Sequence, residues 1–305
     1  MQGVIIVFLL LLVPASMSYS DLLFPEDGLN PNALMDSAVD DDAGDSVNHA
    51  AAHNTIALDA PDLNGATLAR DSSKKQVKLT QKSKKSNSVD DESNWFDQNQ
   101  LRLPIIYTVE PYIPRWLPNA YVPRDVPENL KSYNGIQLMT AYEYGDTQVY
   151  AYGDVYYHVV SLQITKNDQV VRSYDLSAFA SRYEHYIAWA VVEDDVLYIQ
   201  HTGNGYARGF DGNTAYISAI SIPDNKLLWT SKPLTANARN FIISGNSVIC
   251  GYGFTDEPDY LYVLDKFSGE RVQTIKLKTG PDFILEKNGS LYVRTYSDNY
   301  VFTMK

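Results

Sequence analysis

The chain has 305 residues, of which 45% are hydrophobic and 20% are charged, and its formal net charge is −12. This length allows one fair-sized globular domain or two small ones. The acidic balance argues against nucleic acid as a partner, and the single cysteine, Cys250, excludes an internal disulfide.

The first twenty residues, MQGVIIVFLLLLVPASMSYS, predict a signal peptide. Their apolar stretch runs only from Val4 to Val13, whereas a helix needs about twenty apolar residues to span a bilayer. The small residues that follow suit cleavage near Ser18 or Ser20. We therefore expect a secreted or periplasmic protein without a transmembrane span. The alternative is an uncleaved anchor or a buried strand.

Residues 21–93 predict a disordered segment, first acidic and then Lys-rich, that serves as a tether or a removed pro-segment. Few large apolar side chains occur in it, so it cannot bury enough surface to offset its ordering entropy. Its basic part comprises Lys74, Lys75, Lys78, Lys82, Lys84 and Lys85. No aromatic residue interleaves these lysines, which favours a solvated linker over a contact with nucleic acid or anionic lipid.

Residues 94–131 combine aromatic side chains with proline. Six prolines stand between positions 104 and 127, and they forbid a helix and interrupt sheet ladders. We expect an extended segment that packs along the following domain and forms one strand over residues 103–110.

From residue 132 onward, hairpin patterns repeat. Three stretches, 158–176, 215–234 and 259–277, each place a polar turn between two apolar runs of period two. A second strand–turn–strand pattern precedes each of them and also occurs at 283–296. Within that second pattern, equivalent positions are 48, 51 and 43 residues apart; they are Val149, Leu197, Val248 and Leu291.

A period of about 40 to 50 residues that holds four short antiparallel strands is the unit of a β-propeller blade. The predicted fold class is therefore all-β: a small or partial β-propeller of about four blades over residues 132–305. The sequence stops after the third strand of the last blade. We expect 103–110 to supply the missing outer strand. A partial ring completed by a partner, or an open stack of sheets, remains an alternative.

The stretch LYVLDKFSGERV, residues 261–272, resembles the repeat of quinoprotein-type propellers, in which an apolar strand is followed by LDxxTGxxxW. The tryptophan of that pattern is Gln273 here, whereas another repeat carries Trp229. The resemblance covers residues 132–305. Enzymes of this family bind pyrroloquinoline quinone with neighbouring cysteines and calcium ligands, but this chain has one cysteine. The resemblance therefore implies the non-catalytic members, which serve as scaffolds in the cell envelope.

The loops between second and third strands are expected to share one rim, because propellers bind with loops. The candidate binding residues on this rim are Asp154, Tyr206, Arg208, Asp211, Asp256, Glu257, Asp259 and Asp298. Its carboxylates could bind Ca²⁺ or attract a basic protein segment; otherwise no cofactor is expected. The alternative is that Asp, Asn and Gly are simply what tight turns require.

The leading hypothesis is an exported, non-enzymatic β-propeller-like binding or scaffold protein. Its loop rim would hold a protein or glycan partner in the cell envelope or extracellular space. It rests on the fold and on the absence of a convergent acid, base and nucleophile in the sequence. Two alternatives stay open: a carbohydrate-active or degenerate quinoprotein-like enzyme with carboxylates such as Asp211 and Asp256, and a purely structural surface protein.

Overall fold

The computed structural model describes residues 59–65, 73–88, 91–109, 120–154, 158–180 and 185–305. All of them belong to one unit of the chain, residues 56–305. The predicted signal peptide and the acidic cluster lie outside the described residues. No helix among the described residues is long and apolar enough to cross a membrane.

Strands dominate the described residues. In chain order they are β1 (Leu79–Ser86), β2 (Ile105–Thr108), β3 (Ser132–Tyr133), β4 (Ile136–Tyr144), β5 (Thr147–Gly153), β6 (Ser161–Lys166), β7 (Gln169–Asp175), β8 (His185–Glu193), β9 (Val196–Gly203), β10 (Tyr216–Ser221), β11 (Lys226–Thr230), β12 (Ile242–Ser244), β13 (Ser247–Tyr252), β14 (Tyr260–Asp265), β15 (Arg271–Lys276), β16 (Pro281–Lys287), β17 (Ser290–Thr295) and β18 (Asp298–Met304). One α-helix, α1 (Glu92–Asn99), lies between β1 and β2. Short 3₁₀ turns occur at Glu128–Leu130, Ser177–Phe179 and Ala207–Phe210.

These strands form four antiparallel sheets, which we call blades I to IV. Blade I is β4–β5–β6–β7, with β2 and β3 paired to the free edge of β4. Blades II and III are β8 to β11 and β12 to β15, and blade IV is β16–β17–β18–β1. The predicted all-β class with four blades of four antiparallel strands is confirmed.

The predicted repeat is also confirmed residue by residue. Its four marker positions all stand in second strands and are fully buried; they are Val149 in β5, Leu197 in β9, Val248 in β13 and Leu291 in β17. The three predicted hairpins are β6–β7, β10–β11 and β14–β15. The propeller-like fold implied by the quinoprotein resemblance is thus present, while membership of that family stays a prediction.

Strand β1 closes blade IV by pairing with β18, from Leu79 opposite Met304 to Ser86 opposite Asp298. The last blade does borrow its outer strand from the N-terminal side, as predicted, but the predicted strand, 103–110, was wrong. Residues 105–108 form β2, which pairs with β4 in blade I instead. Only the first of the eight residues of β1 is buried. A lysine-rich outer strand protects a sheet edge, and its composition resembles that of a disordered linker.

The described N-terminal residues contact successive blades, at the outer strands of blades I and II and at the β12–β13 turn of blade III. Asp59 bridges Tyr174 of β7, and Asp62 bridges Lys226 of β11. Further on, the backbone carbonyl of Lys75 accepts a hydrogen bond from the backbone N–H of Asn246 in blade III. The predicted disorder of residues 21–93 is therefore wrong for 59–65 and 73–88, because backbone pairing with the blades orders a polar segment that has no core of its own.

The predicted extended segment 94–131 overlaps a helix. Its first proline is Pro104, so residues 92–99 are free to form α1. Phe96 is fully buried and packs edge-on against Phe283 of β16, with ring centroids 5.1 Å apart. The Nζ of Lys287 donates to the Asn99 carbonyl at 2.7 Å, which caps the carboxyl end of α1 with a positive charge. The helix thus belongs to blade IV.

The first strands of blades I to IV, β4, β8, β12 and β16, contact one another in succession. We call the space that they surround the hub. Between blades IV and I, α1 packs on β16 and β2 pairs with β4. The segment 92–108 therefore joins the first and last blades.

Outer strands carry a second link between blades. Arg172, Trp229 and Gln273 occupy the same place beside a β-bulge in blades I, II and III. Each donates a hydrogen bond to the backbone of the next blade or its closing strand: Arg172 to Ile222 O at 3.1 Å, Trp229 to Lys266 O at 3.0 Å, and Gln273 to Leu79 O at 2.8 Å. A side chain at one repeated position therefore fixes the spacing of neighbouring blades.

Candidate binding site at the hub

A cavity of about 690 Å³ opens in the hub, at the end where first strands turn into second strands. All four blades contribute to its lining, and so do residues 102–104, which lie between α1 and β2. Ligand sites in proteins are typically concave spaces of about 300 to 1,000 Å³. The hub cavity is therefore the candidate binding site.

The wall of the cavity is apolar because alternate residues of a strand face the same side. Trp189 and Val191 come from β8, Phe241 precedes β12, Ile243 lies within β12, and Leu285 belongs to β16. Trp189 and Phe241 are only 4% and 1% exposed, and the ring of Trp189 packs on that of Tyr142 at 4.6 Å. These two rings therefore support the wall from behind, and the half-buried Val192 and Ile243 supply accessible apolar surface in the cavity.

The mouth of the cavity is acidic. Carboxylates outnumber cations five to two in its lining; the carboxylates are Asp146, Glu193, Asp194, Asp195 and Glu286, and the cations are Arg102 and Lys166. Residues 194 and 195 both have positive φ, at 52° and 58°, as a tight turn of type I′ requires. The requirements of the turn alone therefore explain why two Asp residues occur here. Their negative charges nevertheless lie at the opening of the cavity.

Two of these carboxylates are already paired. The Nζ of Lys266 lies 2.6 Å from Glu193 and 2.8 Å from Asp194, and the Nζ of Lys74 lies 2.6 Å from Asp194. The hydrogen bonds from Lys266 and Lys74 lower the pKa of Asp194, so this carboxyl group is ionised at neutral pH. The side chain of Lys266 is only 2% exposed, and its pairing ties blade III to the first turn of blade II.

The loop rim predicted from the sequence lies at the opposite end of the blades. Two of its loops meet: the ring of Tyr206 packs on Phe254 at 5.1 Å. In addition, the carboxylate of Glu257 accepts hydrogen bonds from the Ala207 amide, at 2.8 Å, and from the Tyr252 hydroxyl. These loops of blades II and III therefore form one surface.

The other predicted rim residues are placed differently. Arg208, Asp211 and Asp256 are exposed in these same two loops. Asp154 accepts a hydrogen bond from the His158 amide in its own loop. Asp298 is 1% exposed, and its carboxylate lies near two lysines, Lys84 at 3.5 Å and Lys278 at 3.6 Å. The predicted rim stays a prediction as a binding site, and so does the Ca²⁺ ion. Within the part of the chain that the structure describes, no three His, Cys, Asp or Glu side chains are grouped to hold a metal ion.

Asp259, the remaining rim residue, is partly buried beside Gly253. Burial raises its pKa to about 6, and its Oδ1 has no hydrogen-bond partner among the described residues. A carboxyl group whose pKa rises on folding binds its proton more tightly in the folded state. Its contribution to stability is therefore lost as the pH rises from about 4 through 6.

We expect Asp259→Asn to raise the melting temperature at pH 7.5, because the substitution removes a partly buried charge. At about pH 4 the difference should shrink, since the wild-type carboxyl group is then largely protonated when folded. Thermal unfolding followed by circular dichroism at both pH values checks this. The exposed Asp256→Asn is the matched control and should change neither temperature. A lower melting temperature for Asp259→Asn at both pH values would contradict the charge argument.

Sequence reasoning missed the hub cavity. Its wall residues alternate as those of any buried strand do, so they indicated core packing only. The available signal was the position of Asp146 and of Asp194 and Asp195, which follow first strands of adjacent repeats. Carboxylates at equivalent turns of a ring lie at one end of it, opposite the end that the sequence favoured.

Comparison with known proteins identifies no family. No protein-family model matches the chain, and no curated protein matches it. Among solved structures, the computationally designed Ika8 protein is similar at 11% identity and a TM-score of 0.37, over 53% of this chain and 44% of that one. The computationally designed Ika4 protein is similar at 13% identity and a TM-score of 0.35, over 53% of this chain and 87% of that one. BamB from Moraxella catarrhalis is similar at 10% identity and a TM-score of 0.30, over 52% of this chain and 56% of that one. The chain thus spans less than half of Ika8 and just over half of BamB, and these scores carry no conclusion about its activity.

Proposed function

We propose that this protein is an exported binding module that receives a segment of a partner protein in the hub cavity. The observation that carries the proposal is the cavity itself, a space of about 690 Å³ lined by apolar and charged side chains and open at one end of the blades. Export, and hence a partner in the cell envelope or extracellular space, rests on the first twenty residues of the sequence.

The chemistry of the wall favours a protein segment over a glycan. Trp189 and Phe241 offer a sugar almost no exposed ring face, whereas the half-buried Val192 and Ile243 present aliphatic carbon atoms to the cavity. An aliphatic or aromatic side chain gains about 25 cal/mol for each Å² of apolar surface that it removes from water. A single such side chain, inserted from a partner, suits this wall.

The wall is also held in place before any ligand arrives. The side-chain amide of Asn240 makes two hydrogen bonds with the backbone of Ile284 in the next blade. Its Nδ2 donates to the Ile284 carbonyl at 2.6 Å, and its Oδ1 accepts from the Ile284 N–H at 2.9 Å. The hydroxyl of Tyr144 donates to the Ala190 carbonyl at 2.7 Å. These bonds link the first strands of blades I and II and of blades III and IV. A preorganised wall lowers the entropic cost of binding.

A photo-crosslinking amino acid introduced at position 195, at the mouth, tests the proposal in the cells that produce the protein. The control carries the same amino acid at position 272, which is exposed on the outer strand of blade III, away from the hub. We expect a defined crosslinked partner from position 195 only. Adding Ile243→Trp, which narrows the cavity, should weaken the crosslink.

Because overpacking costs about 1 to 3 kcal/mol, the narrowed variant must first show the wild-type circular dichroism spectrum. Val192→Trp, at a half-buried lining position of β8, is a second way to narrow the cavity. A crosslink of wild-type strength in both folded variants would overturn the proposal. So would equal crosslinking from positions 195 and 272.

A further inference from the structure

We infer that the segment bound at the hub is cationic and amphipathic: an apolar side chain enters the cavity, and an adjacent Lys or Arg pairs with carboxylates at the mouth. This inference rests on the proposed function and adds the chemical class of the partner. It follows from the charges that remain at the mouth after the internal ion pairs of the protein are taken into account.

The ion pairs of Glu193 and Asp194 consume two of the five carboxylates at the mouth. Their partners, Lys266 and Lys74, bring two positive charges within 3 Å of them, so this part of the mouth is locally neutral. These ion pairs hold the first turn of blade II in place, and they leave little net charge there for a ligand.

Three carboxylates remain, Asp146, Asp195 and Glu286, and they come from blades I, II and IV. All three residues are exposed. Of the two cations in the lining, Arg102 lies 3.7 Å from Asp97 and donates to the Leu101 carbonyl. Lys166 is then the counter-charge to three carboxylates. The mouth is therefore net negative on three sides of one opening.

Turn chemistry does not explain this whole set. Asp195 occupies a turn position that favours Asp, but Glu286 lies within strand β16, where glutamate is a disfavoured residue. Its neighbour Leu285 also lines the cavity, so an apolar and an acidic residue of the same strand both contribute to the lining. That juxtaposition of apolar depth and acidic edge matches a ligand with an apolar tip and a positive flank.

The carboxylates at the mouth attract an approaching cation. The Debye length is about 8 Å at physiological ionic strength and shorter at high salt, so added salt weakens this attraction. Exposed ion pairs are individually weak, and three together amount to about a tenfold change in affinity at low salt. The apolar side chain supplies the rest of the binding, and the charges select the partner.

Three short amidated peptides of equal length test the inference by fluorescence anisotropy with the full chain. In the first, leucine alternates with lysine; in the second, with serine; in the third, with glutamate. We expect the leucine–lysine peptide to bind about tenfold more tightly than the leucine–serine peptide at low salt, and the leucine–glutamate peptide not to bind. High salt should remove the difference between the first two.

A triple variant, Asp146→Asn with Asp195→Asn and Glu286→Gln, should weaken the leucine–lysine peptide about tenfold and leave the leucine–serine peptide unchanged. The matched control loses the same net charge at the opposite end of the blades. It combines Asp154→Asn, Asp211→Asn and Asp256→Asn, and it should bind all three peptides as the wild type does. Ile243→Trp should weaken binding of both the leucine–lysine and the leucine–serine peptide.

The outcomes separate the two proposals. Equal binding of the lysine and serine peptides would overturn the cationic ligand and leave the hub as a binding site. Equal weakening by both triple variants would mean that net charge acts without a site at the mouth, which also overturns the inference. Failure of all peptides to bind, or binding that Ile243→Trp leaves unchanged, would overturn the proposed function itself.

Discussion

A chain that begins at Asp91 is expected to lose the monomeric fold, whereas a chain that begins at Ser73 should keep it. The first lacks β1, so β18 has no partner on its outer side and Leu79, only 3% exposed, no longer packs in the apolar cluster of blade IV with Phe302. Loss of a buried Leu costs about 2 to 5 kcal/mol, and each lost sheet hydrogen bond costs about 1 kcal/mol. The total, at least about 5 kcal/mol, is comparable to the free energy of unfolding of a typical domain.

Urea unfolding and size-exclusion chromatography of the two chains and of the full chain measure this effect. The chain from Ser73 also loses the pairing of Asp59 with Arg172, a partly exposed contact at 2.8 Å, and the backbone hydrogen bonds of residues 59 and 62 with blades I and II. It keeps β1 and should therefore be destabilised less than the chain from Asp91. Because an unpaired strand edge recruits other chains, the chain from Asp91 should elute as an oligomer or precipitate. A soluble monomer with an unchanged midpoint would show that β1 is dispensable for closure.

The repeated part of this fold could be predicted from sequence because its strands are buried on both faces. Strands such as β9 and β13 are fully buried, so each shows an apolar run that ends at a Gly, Asn or Asp turn. The recurrence of that pattern fixed the number of blades and the register of their second strands. In these strands the hydrophobic pattern of the sequence and the burial in the folded protein indicate the same structure, and sequence-based prediction succeeds under that condition.

The closing strand and the helix could not be predicted in the same way. Seven of the eight residues of β1 lie at the surface, and they pair with a strand more than 200 positions away. Nothing in LTQKSKKS distinguishes an outer strand from a linker. These residues form a strand because the edge of β18 would otherwise have no hydrogen-bonding partner. Likewise, α1 is short and weakly amphipathic, and the packing of Phe96 on Phe283 is what stabilises it at blade IV.

The candidate site was least accessible to sequence reasoning. A cavity at the hub depends on how many blades surround it and on what fills the gap between the last and the first. Here residues 102–104, next to β2, form part of the cavity wall. Acidic residues at turns were recognised at one end of the blades, but a turn residue and a ligand-binding residue share the same chemistry. Only the position of the apolar wall distinguishes the two ends.

Trp229→Ala is the point substitution expected to have the largest effect on stability. The indole is 7% exposed, donates to the Lys266 carbonyl at 3.0 Å and packs beside Tyr198, with ring centroids 6.0 Å apart. Its removal should lower the free energy of unfolding by about 3 to 5 kcal/mol. Gln273→Ala, at the equivalent position of blade III, loses two hydrogen bonds to Leu79 but little apolar packing, and should cost about 1 to 2 kcal/mol.

The tryptophan also explains a glycine in the next blade. Gly269 has a φ of +70°, and a Cβ atom there would lie 2.4 Å from the Trp229 ring. Gly269→Ala should therefore destabilise the protein more than Gly212→Ala, because Gly212 has a similar φ of +73° but open space around it. The difference between the two substitutions measures the contact with the ring, since the cost of a positive φ, about 1 to 2 kcal/mol, is common to both.

The double variant tests whether this contact couples blades II and III. With the ring removed by Trp229→Ala, the added methyl group at position 269 meets no obstacle, so the further cost of Gly269→Ala should fall to that of Gly212→Ala. Urea unfolding of the two single variants and the double variant gives the coupling energy, which we expect to be about 1 to 3 kcal/mol in magnitude. Additive effects would show that the tryptophan stabilises blade II alone. Non-additive effects would identify the packing of Trp229 on Gly269 as a joint that holds neighbouring blades together around the hub.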